Sequence, residues 1–368
     1  MFDRLYSRLT ELVDYRVLIF VPPVVAALMV ALIFFNGMPL GVDFQGGTWM
    51  DASVDERLAD SQTTELVAAL SDIGLVEVKA KWGWDASSDK HKLTISTSTE
   101  VEAEKVEEVL RGFIGELSEY DEAVISPEGE VSTEDRDRLA ERFSGTDVQL
   151  KDGKVVVRAL DLDEEELTRA AKSYFGEQST LTLTPRNFNL RSVGPTLGER
   201  FRTQGIKALI VAYIFMSIVI AFAFKEFVPS IAVMAAATCD IIIAAGGMSL
   251  FGIQMEPASL AALLMLIGYS VDSDILLTAR VLKRRGFEVN DRIDEAMVTG
   301  LTMTGTTLAA LLMIQVVTLW VLPIETLNNI SSILLIGLVA DLSTTWFMNA
   351  GILKWYLERP KSRTRRWK

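Results

Sequence analysis

The chain reads as a polytopic α-helical membrane protein with six transmembrane helices and an external α+β domain between helices 1 and 2. Three observations predict this. Apolar residues make up 49% of the 368, and they concentrate at residues 17–35 and again from 206 to 353. The block between, residues 37–204, is polar and acidic and holds no membrane-length apolar run. Lys and Arg gather beside alternate ends of the apolar runs.

Apolar stretches of about 17–25 residues are long enough to cross a bilayer as helices. Six are present, at residues 17–35, 206–224, 228–251, 258–279, 302–321 and 330–353. Orientation follows from the basic residues that flank them. Arg4, Arg8 and Arg16 precede the first span, and Lys225 follows the second. Arg280, Lys283, Arg284, Arg285 and Arg292 follow the fourth, and the tail carries Lys354 through Lys368. The connections Gly252–Pro257 and Leu322–Asn329 have no Lys or Arg. This predicts a multi-pass protein of the cytoplasmic membrane with both termini cytoplasmic. Residues 1–36 form the N-terminus and first helix, 37–204 the external domain, 205–355 helices two to six, and 356–368 a basic tail suited to anionic lipid. The first span is too long for a signal-peptide core, and no small-x-small site follows it, so we expect it to be retained.

Within the external block, Thr48–Val54, Val76–Trp82, Lys92–Thr97, Lys154–Leu160 and Ser179–Thr184 read as strands. Thr63–Ile73, Val101–Leu117 and Asp163–Phe175 carry apolar residues at helical spacing. The order suggests a ferredoxin-like βαββαβ core with an extra strand–helix portion. Segment 121–149, charged and containing Pro-Glu-Gly, reads as an insertion or mobile loop. Pro185–Gln204 reads as a connection with a tight entry turn at the membrane surface. Cys239 reads as packing and His91 as a surface loop residue.

Composition excludes several classes. The net charge of −13 reflects a solvated acidic surface or adaptation to high salt, and either argues against nucleic acid as a partner. One Cys and one His support neither an internal disulfide nor a Cys/His metal cluster. No phosphate-binding Gly-x-x-x-x-Gly-Lys loop, Gly-x-Ser-x-Gly elbow or His-Glu-x-x-His motif is present, so neither an enzyme nor a cofactor is expected.

The candidate site lies in the spans. Asp240 falls in the third, Asp272 and Asp274 in the fourth and Asp341 in the sixth. A carboxylate at such depth costs at least ~2.5–3.5 kcal/mol on insertion scales. Asp240, Asp272 and Asp341 lie at similar depth and are expected to meet. Asp272 and Asp274 point roughly 200° apart on an ideal helix, so both reach one neighbour only if the fourth span is distorted near Gly268, Ser270 and Ser273. No Lys or Arg lies near the middle of any span, so the acids carry a proton, bind a cation or pair with a base from another subunit, or else they are hydrogen-bonded glue between helices. The pair Asp272 and Asp274 is the stronger ion-coupling candidate, with Asp240 and Asp341 secondary. Ala244–Gly247 and Thr302–Thr307 read as small-residue packing.

The residues now reached resemble a known family. Gly41-Val-Asp-Phe-Gln-Gly-Gly-Thr48, containing Asp43, Phe44, Gly46 and Gly47, is similar to the Gly-x-Asp-Phe-x-Gly-Gly motif of SecD and SecF proteins. Val193-Gly-Pro-Thr-Leu-Gly198, containing Gly194 and Pro195, resembles the entry to their second span. Ile267-Gly-Tyr-Ser-Val271, with Gly268, Tyr269 and Ser270, resembles the fourth span of SecF, and the acidic composition resembles that of halophilic archaea. The resemblance implies the resistance-nodulation-division superfamily fold. It also implies SecD as partner, docking near the SecYEG translocon, and an external domain that holds a translocating polypeptide, with the proton-motive force as energy source and Gly46-Gly47 as a hinge. The chain departs from the bacterial pattern at Asp272-Ser273-Asp274, where bacterial members have Asn-Asp, and at Gly305, where they have an intramembrane Arg. The alternatives are half of a small-molecule or lipid exporter of the same superfamily, and a purely structural translocon subunit.

Overall fold

The computed structural model describes all residues except 1–4, 87, 100, 102, 128–130, 144–145, 152, 161, 177, 284–287, 322–323 and 360–368. Arg284, Arg285, Glu128, Gly129 and most of the basic tail, all invoked above, therefore lie outside the described residues. The chain divides into two compact units, one of Met1–Gln45 with Pro195–Lys368 and one of Gly46–Gly194.

The chain opens with helices α1 (Leu5–Leu12), α2 (Tyr15–Leu18), α3 (Val21–Asn36) and α4 (Val42–Gln45). The second unit runs β1 (Gly47–Val54), α5 (Asp60–Asp72), β2 (Lys79–Asp85), β3 (Lys90–Thr97), α6 (Ala103–Ile114) and β4 (Asp121–Ser126). It continues with α7 (Thr133–Arg142), β5 (Asp147–Lys151), β6 (Lys154–Ala159), α8 (Glu164–Phe175), β7 (Thr180–Thr184) and β8 (Phe188–Val193). The chain then returns through α9 (Pro195–Phe224), α10 (Phe227–Phe251), α11 (Pro257–Lys283), α12 (Val289–Trp320) and α13 (Glu325–Ser343). A π-helical segment, Thr344–Asn349, joins α13 to α14 (Ala350–Glu358).

The second unit is not one ferredoxin-like core with an appendage. It is two such units, one nested in the other. Strands β1, β2, β3 and β8 form an antiparallel sheet in the order β2-β3-β1-β8, and β4 to β7 form another in the order β5-β6-β4-β7. Each follows βαββαβ in sequence, and in the first the closing strand arrives only after the whole second unit has been made. Segment 121–149, expected to be an insertion or mobile loop, contains β4, α7 and the start of β5, all in the nested unit. The expected connection at Pro185–Gln204 contains β8, which pairs with β1 from Gly47↔Val193 to Ala52↔Phe188. The tight turn expected at Gly194-Pro195 is there: the single residue Gly194 separates strand β8 from helix α9. His91 sits within β3 rather than a loop, edge-on to Trp84 with ring centroids 4.7 Å apart.

Period-two alternation supplies each sheet's inner face. Met50, Ala52, Leu93 and Ile95 meet Leu66, Leu70 and Leu110 in the first core. Ala123, Ile125, Val155 and Val157 meet Leu139, Leu167 and Ala170 in the second.

Among the described residues, the helical unit contains six helices long and apolar enough to cross a membrane, with the first formed by Tyr15–Asn36 and the sixth by Glu325–Glu358. Helices α9 and α12 begin well before the apolar runs at 206 and 302. An apolar run marks the length matched to hydrocarbon, and backbone hydrogen bonding carries the helix beyond it. Small residues bring the helices close. A Cβ on Gly246 would overlap Met29, and one on Gly247 would stand 2.7 Å from Ile336. The stretch Thr302–Thr307 does not pack in this way: Thr302, Met303, Gly305 and Thr306 are exposed, and only Thr304 is buried. Outside the spans, α1 is tied to α12 by Asp294, which accepts from the backbone N–H of Tyr6 at 2.7 Å and from the Ser7 hydroxyl. Burial there pushes the Tyr6 phenol above its ordinary range.

Candidate functional site

Three helices bring three acids together. Asp240 on α10, Asp274 on α11 and Asp341 on α13 are all buried, in a wall of hydroxyls and one amide. Asp240 accepts from Ser270 Oγ at 2.6 Å and from Thr344 Oγ1 at 2.7 Å, one bond to each carboxylate oxygen. Asp341 accepts from Ser273 Oγ at 3.0 and 3.1 Å and faces Thr345 Oγ1 at 3.0 Å. Asp274 Oδ1 accepts from Thr345 Oγ1 at 2.9 Å and from Asn349 Nδ2 at 2.7 Å.

Thr345 therefore lies between two carboxylates. A hydroxyl carries one proton and can donate to only one of them at a time. The other carboxylate keeps its separate donor, Asn349 at Asp274 or Ser273 at Asp341. Thr345 is thus a bridge along which hydrogen-bond direction can reverse. Ser273 Oγ, 3.2 Å from Thr345 Oγ1, extends the chain of hydroxyls.

Local sequence explains how these groups are presented. Thr344, Thr345 and Asn349 all come from the π-helical segment, whose wider turn is closed by the Ala350 N–H bonding to the Thr345 carbonyl. Single-turn π segments of this kind are frequent at functional sites. Here they point consecutive residues Thr344 and Thr345 at different acids. The distortion expected in the fourth span is in the sixth, and α11 runs as one continuous helix. Trp346 from the same segment fills the space beside Gly300 on α12, where a Cβ would overlap its ring.

Asp272 does not join the other acids. It is exposed on the outer side of α11, while Asp274 points inward. The expected meeting of Asp240, Asp272 and Asp341 is therefore a meeting of Asp240, Asp274 and Asp341. The reason is the two-residue offset on a straight helix, which turns side chains to opposite faces. Ala261, Met265, Gly268, Tyr269 and Asp272 form one exposed stripe, spaced at i, i+4, i+7, i+8 and i+11. Ser270 and Ser273, on the inward face, hold the acids. Sequence reasoning named Ser270 and Ser273 only as points of distortion and missed Thr344, Thr345 and Asn349, whose only signal was a polar pair and an amide inside an apolar span.

A second polar cluster joins α12 to α13. Gln315 Oε1 accepts from Ser331 at 2.6 Å and from Ser332 at 3.1 Å. It holds no acid and fits interhelical hydrogen bonding.

The glycine motifs have separate structural roles. Gly41 donates its N–H to Met255 O at 2.9 Å, and a Cβ there would stand 2.6 Å from Glu256 Cγ. Phe44 is buried, whereas Asp43 is half-buried. Gly46 and Gly47 have φ of 83° and 132°, a region that favours glycine. A Cβ on Gly47 would overlap the Thr97 carbonyl oxygen. Gly198 is buried in α9, and Pro195 opens that helix, where its missing N–H costs nothing. The chain passes between its two units at Gln45–Gly46 and at Gly194–Pro195, inside the two motifs. In the second unit, a polar cleft of about 650 Å³ is lined by residues including Lys90, Arg111, Glu116 and Tyr120, together with the ion pair of Glu122 and Arg158.

A six-span bundle with an inserted α+β unit and buried acids on three helices is a multi-pass membrane protein, and similarity makes the class specific. The family model described as "Protein export membrane protein SecD/SecF, C-terminal" matches residues 177–359, and the SecD/SecF GG motif matches residues 31–56. The chain is 33% identical to the protein-export membrane protein SecF of Methanothermobacter thermautotrophicus, across 94% of this chain and 93% of that one. It is 34% identical to SecF of Methanocaldococcus jannaschii, across 94% and 96%. The chain belongs to the SecF family of protein-export membrane proteins. Its fold is similar to the crystal structure of SecDF, a translocon-associated membrane protein from Thermus thermophilus. The TM-score is 0.57 at 17% identity, over 94% of this chain and 38% of that one.

Proposed function

We propose that this chain acts with a SecD-type subunit to assist polypeptide translocation at the SecYEG translocon, drawing on the proton gradient through Asp240, Asp274 and Asp341. Both termini are cytoplasmic in this reading, and the α+β domain is external, where it holds the emerging polypeptide. The observation that carries the reading is the bridge of Thr345 between Asp274 and Asp341, on adjacent helices of the bundle. Two carboxylates sharing one hydroxyl form a relay whose protonation alters what holds α11 against the sixth span.

The outer stripe of α11 supports a partner. Asp272, exposed with Gly268 and Tyr269 on one face of α11, suits a second six-span subunit that supplies a base. Gly46-Gly47 and Gly194-Pro195 are the hinge positions. The glue reading draws on the same hydroxyls and makes the acids structural.

Secretion assays with Asp274→Asn and Asp272→Asn separate the readings. We expect each substitution to impair export while the chain still inserts in the membrane. Unchanged secretion with both replaced would remove the coupling role. A mild-detergent pull-down of the tagged chain should recover a SecD-like subunit, and recovery of the chain alone would favour an independent exporter half.

A further inference from the structure

Three fully buried polar atoms around Asp274 have no hydrogen-bond partner among the described residues: Asp274 Oδ2, Thr278 Oγ1 and Asn349 Oδ1. Thr278 lies four residues after Asp274 on α11, so the two side chains share a helix face. Asn349 donates its Nδ2 to Asp274 Oδ1 at 2.7 Å, so its amide group lies against the same carboxylate. Both donors to Asp274, Thr345 and Asn349, serve Oδ1, and the wall supplies none to Oδ2.

We propose that Asp274, Thr278 and Asn349 form a binding site for a small monovalent cation of sodium size. The donor set is all oxygen: one carboxylate, one hydroxyl and one amide carbonyl. Hard cations take such ligands, whereas zinc and copper favour nitrogen and sulfur. A single bare carboxylate oxygen matches one positive charge. A divalent ion would call on several carboxylates, and Asp240 has both oxygens occupied by Ser270 and Thr344. The competing occupants are a proton on Oδ2, which makes the carboxyl neutral, and a water molecule, and neither gives saturable, size-selective cation binding. Asp240 and Asp274 thus differ in kind: the first is closed by hydroxyls and the second is open on one side. The site is a binding property of the chain itself and goes beyond the export reading.

The test is saturable binding of ²²Na⁺ to the purified full-length chain in lipid nanodiscs, in choline chloride. We expect unlabelled sodium to displace the tracer, with potassium at least tenfold less effective. Thr278→Val keeps the shape and removes the hydroxyl, and it should weaken binding about tenfold, near 1.4 kcal/mol. Asp274→Asn should abolish it. Absence of saturable binding in the folded chain overturns the site and leaves a proton or a buried water in its place. Equal displacement by potassium overturns the sodium size, and binding unchanged in Thr278→Val overturns the ligand set even if Asp274→Asn fails to fold. Export assayed in parallel keeps the two proposals apart: secretion that needs Asp274 in a chain that binds no sodium sinks the cation site alone. Sodium binding in a chain whose secretion ignores Asp274 sinks the coupling role alone.

Discussion

The two units of this chain are built inside out relative to one another. In the α+β unit the interior is large and apolar, with Leu66, Leu93 and Leu110 fully buried, and the charges lie outside. In the helical unit the centre holds Asp240, Asp274, Thr344, Thr345 and Asn349, all fully buried, while Phe222 is 75% exposed. Water drives the first arrangement, since burying apolar surface is favourable only against water. In lipid that drive between helices is lost, and close contact of small residues with interhelical hydrogen bonds takes its place. The same side chain is therefore worth different amounts in the two units.

Substitutions can break this contrast, and the largest effect is expected at Gly47. Gly47→Ala adds a methyl against the Thr97 carbonyl in a positive-φ conformation. We expect a loss of roughly 3–5 kcal/mol from strain and overpacking together. Hydrogen exchange of the β1 and β3 amides in the full chain should show it as lost protection.

Leu93→Ala should follow, at about 3 kcal/mol, because the cavity lies in a close-packed core. The same exchange measurement should show loosening across β1 to β3 and leave β4 to β7 protected, since the two sheets have separate cores.

Thr345→Val sharpens the contrast, because it makes the helical interior more apolar and should still destabilise it. We expect about 1–2 kcal/mol, the cost of losing the Thr345 hydrogen bond between Asp274 and Asp341 while Asn349 and Ser273 keep theirs. Thermal unfolding in nanodiscs measures it, and a stabilised variant would show that the polar centre is not held by these bonds. Phe222→Ala is the smallest, below about 0.5 kcal/mol, because a lipid-facing ring loses little when lipid replaces it. A loss near that of Leu93→Ala would mean that this face is covered by protein.

Legibility in the sequence followed the strength of the periodic signal. The spans were readable because each apolar run is about as long as the hydrocarbon core is thick. The first ferredoxin-like unit was readable from Leu66, Leu70, Leu93 and Ile95. The second was half hidden, because α7 reads Thr-Glu-Asp-Arg-Asp-Arg-Leu-Ala-Glu-Arg and buries only Leu139 as a large apolar side chain. A helix with one anchor looks like a charged loop. Strand β8 was hidden for another reason: its partner β1 lies more than 130 residues away, and local pattern carries no information on distant pairing.

The sequence by itself determined the six crossings, the polar domain between the first two, the family motifs and the presence of four acids inside spans. Those features follow from local chemistry: apolar length, charge next to the membrane, and glycines where the backbone demands them. Only the tertiary structure decided which acids meet. The two-residue offset on a straight α11 sends Asp274 inward and Asp272 outward. The π-helical turn of the sixth span then aims Thr344 at one carboxylate and Thr345 at two. Both depend on the rotation of one helix against another, which is set by packing at glycines such as Gly247 and Gly300.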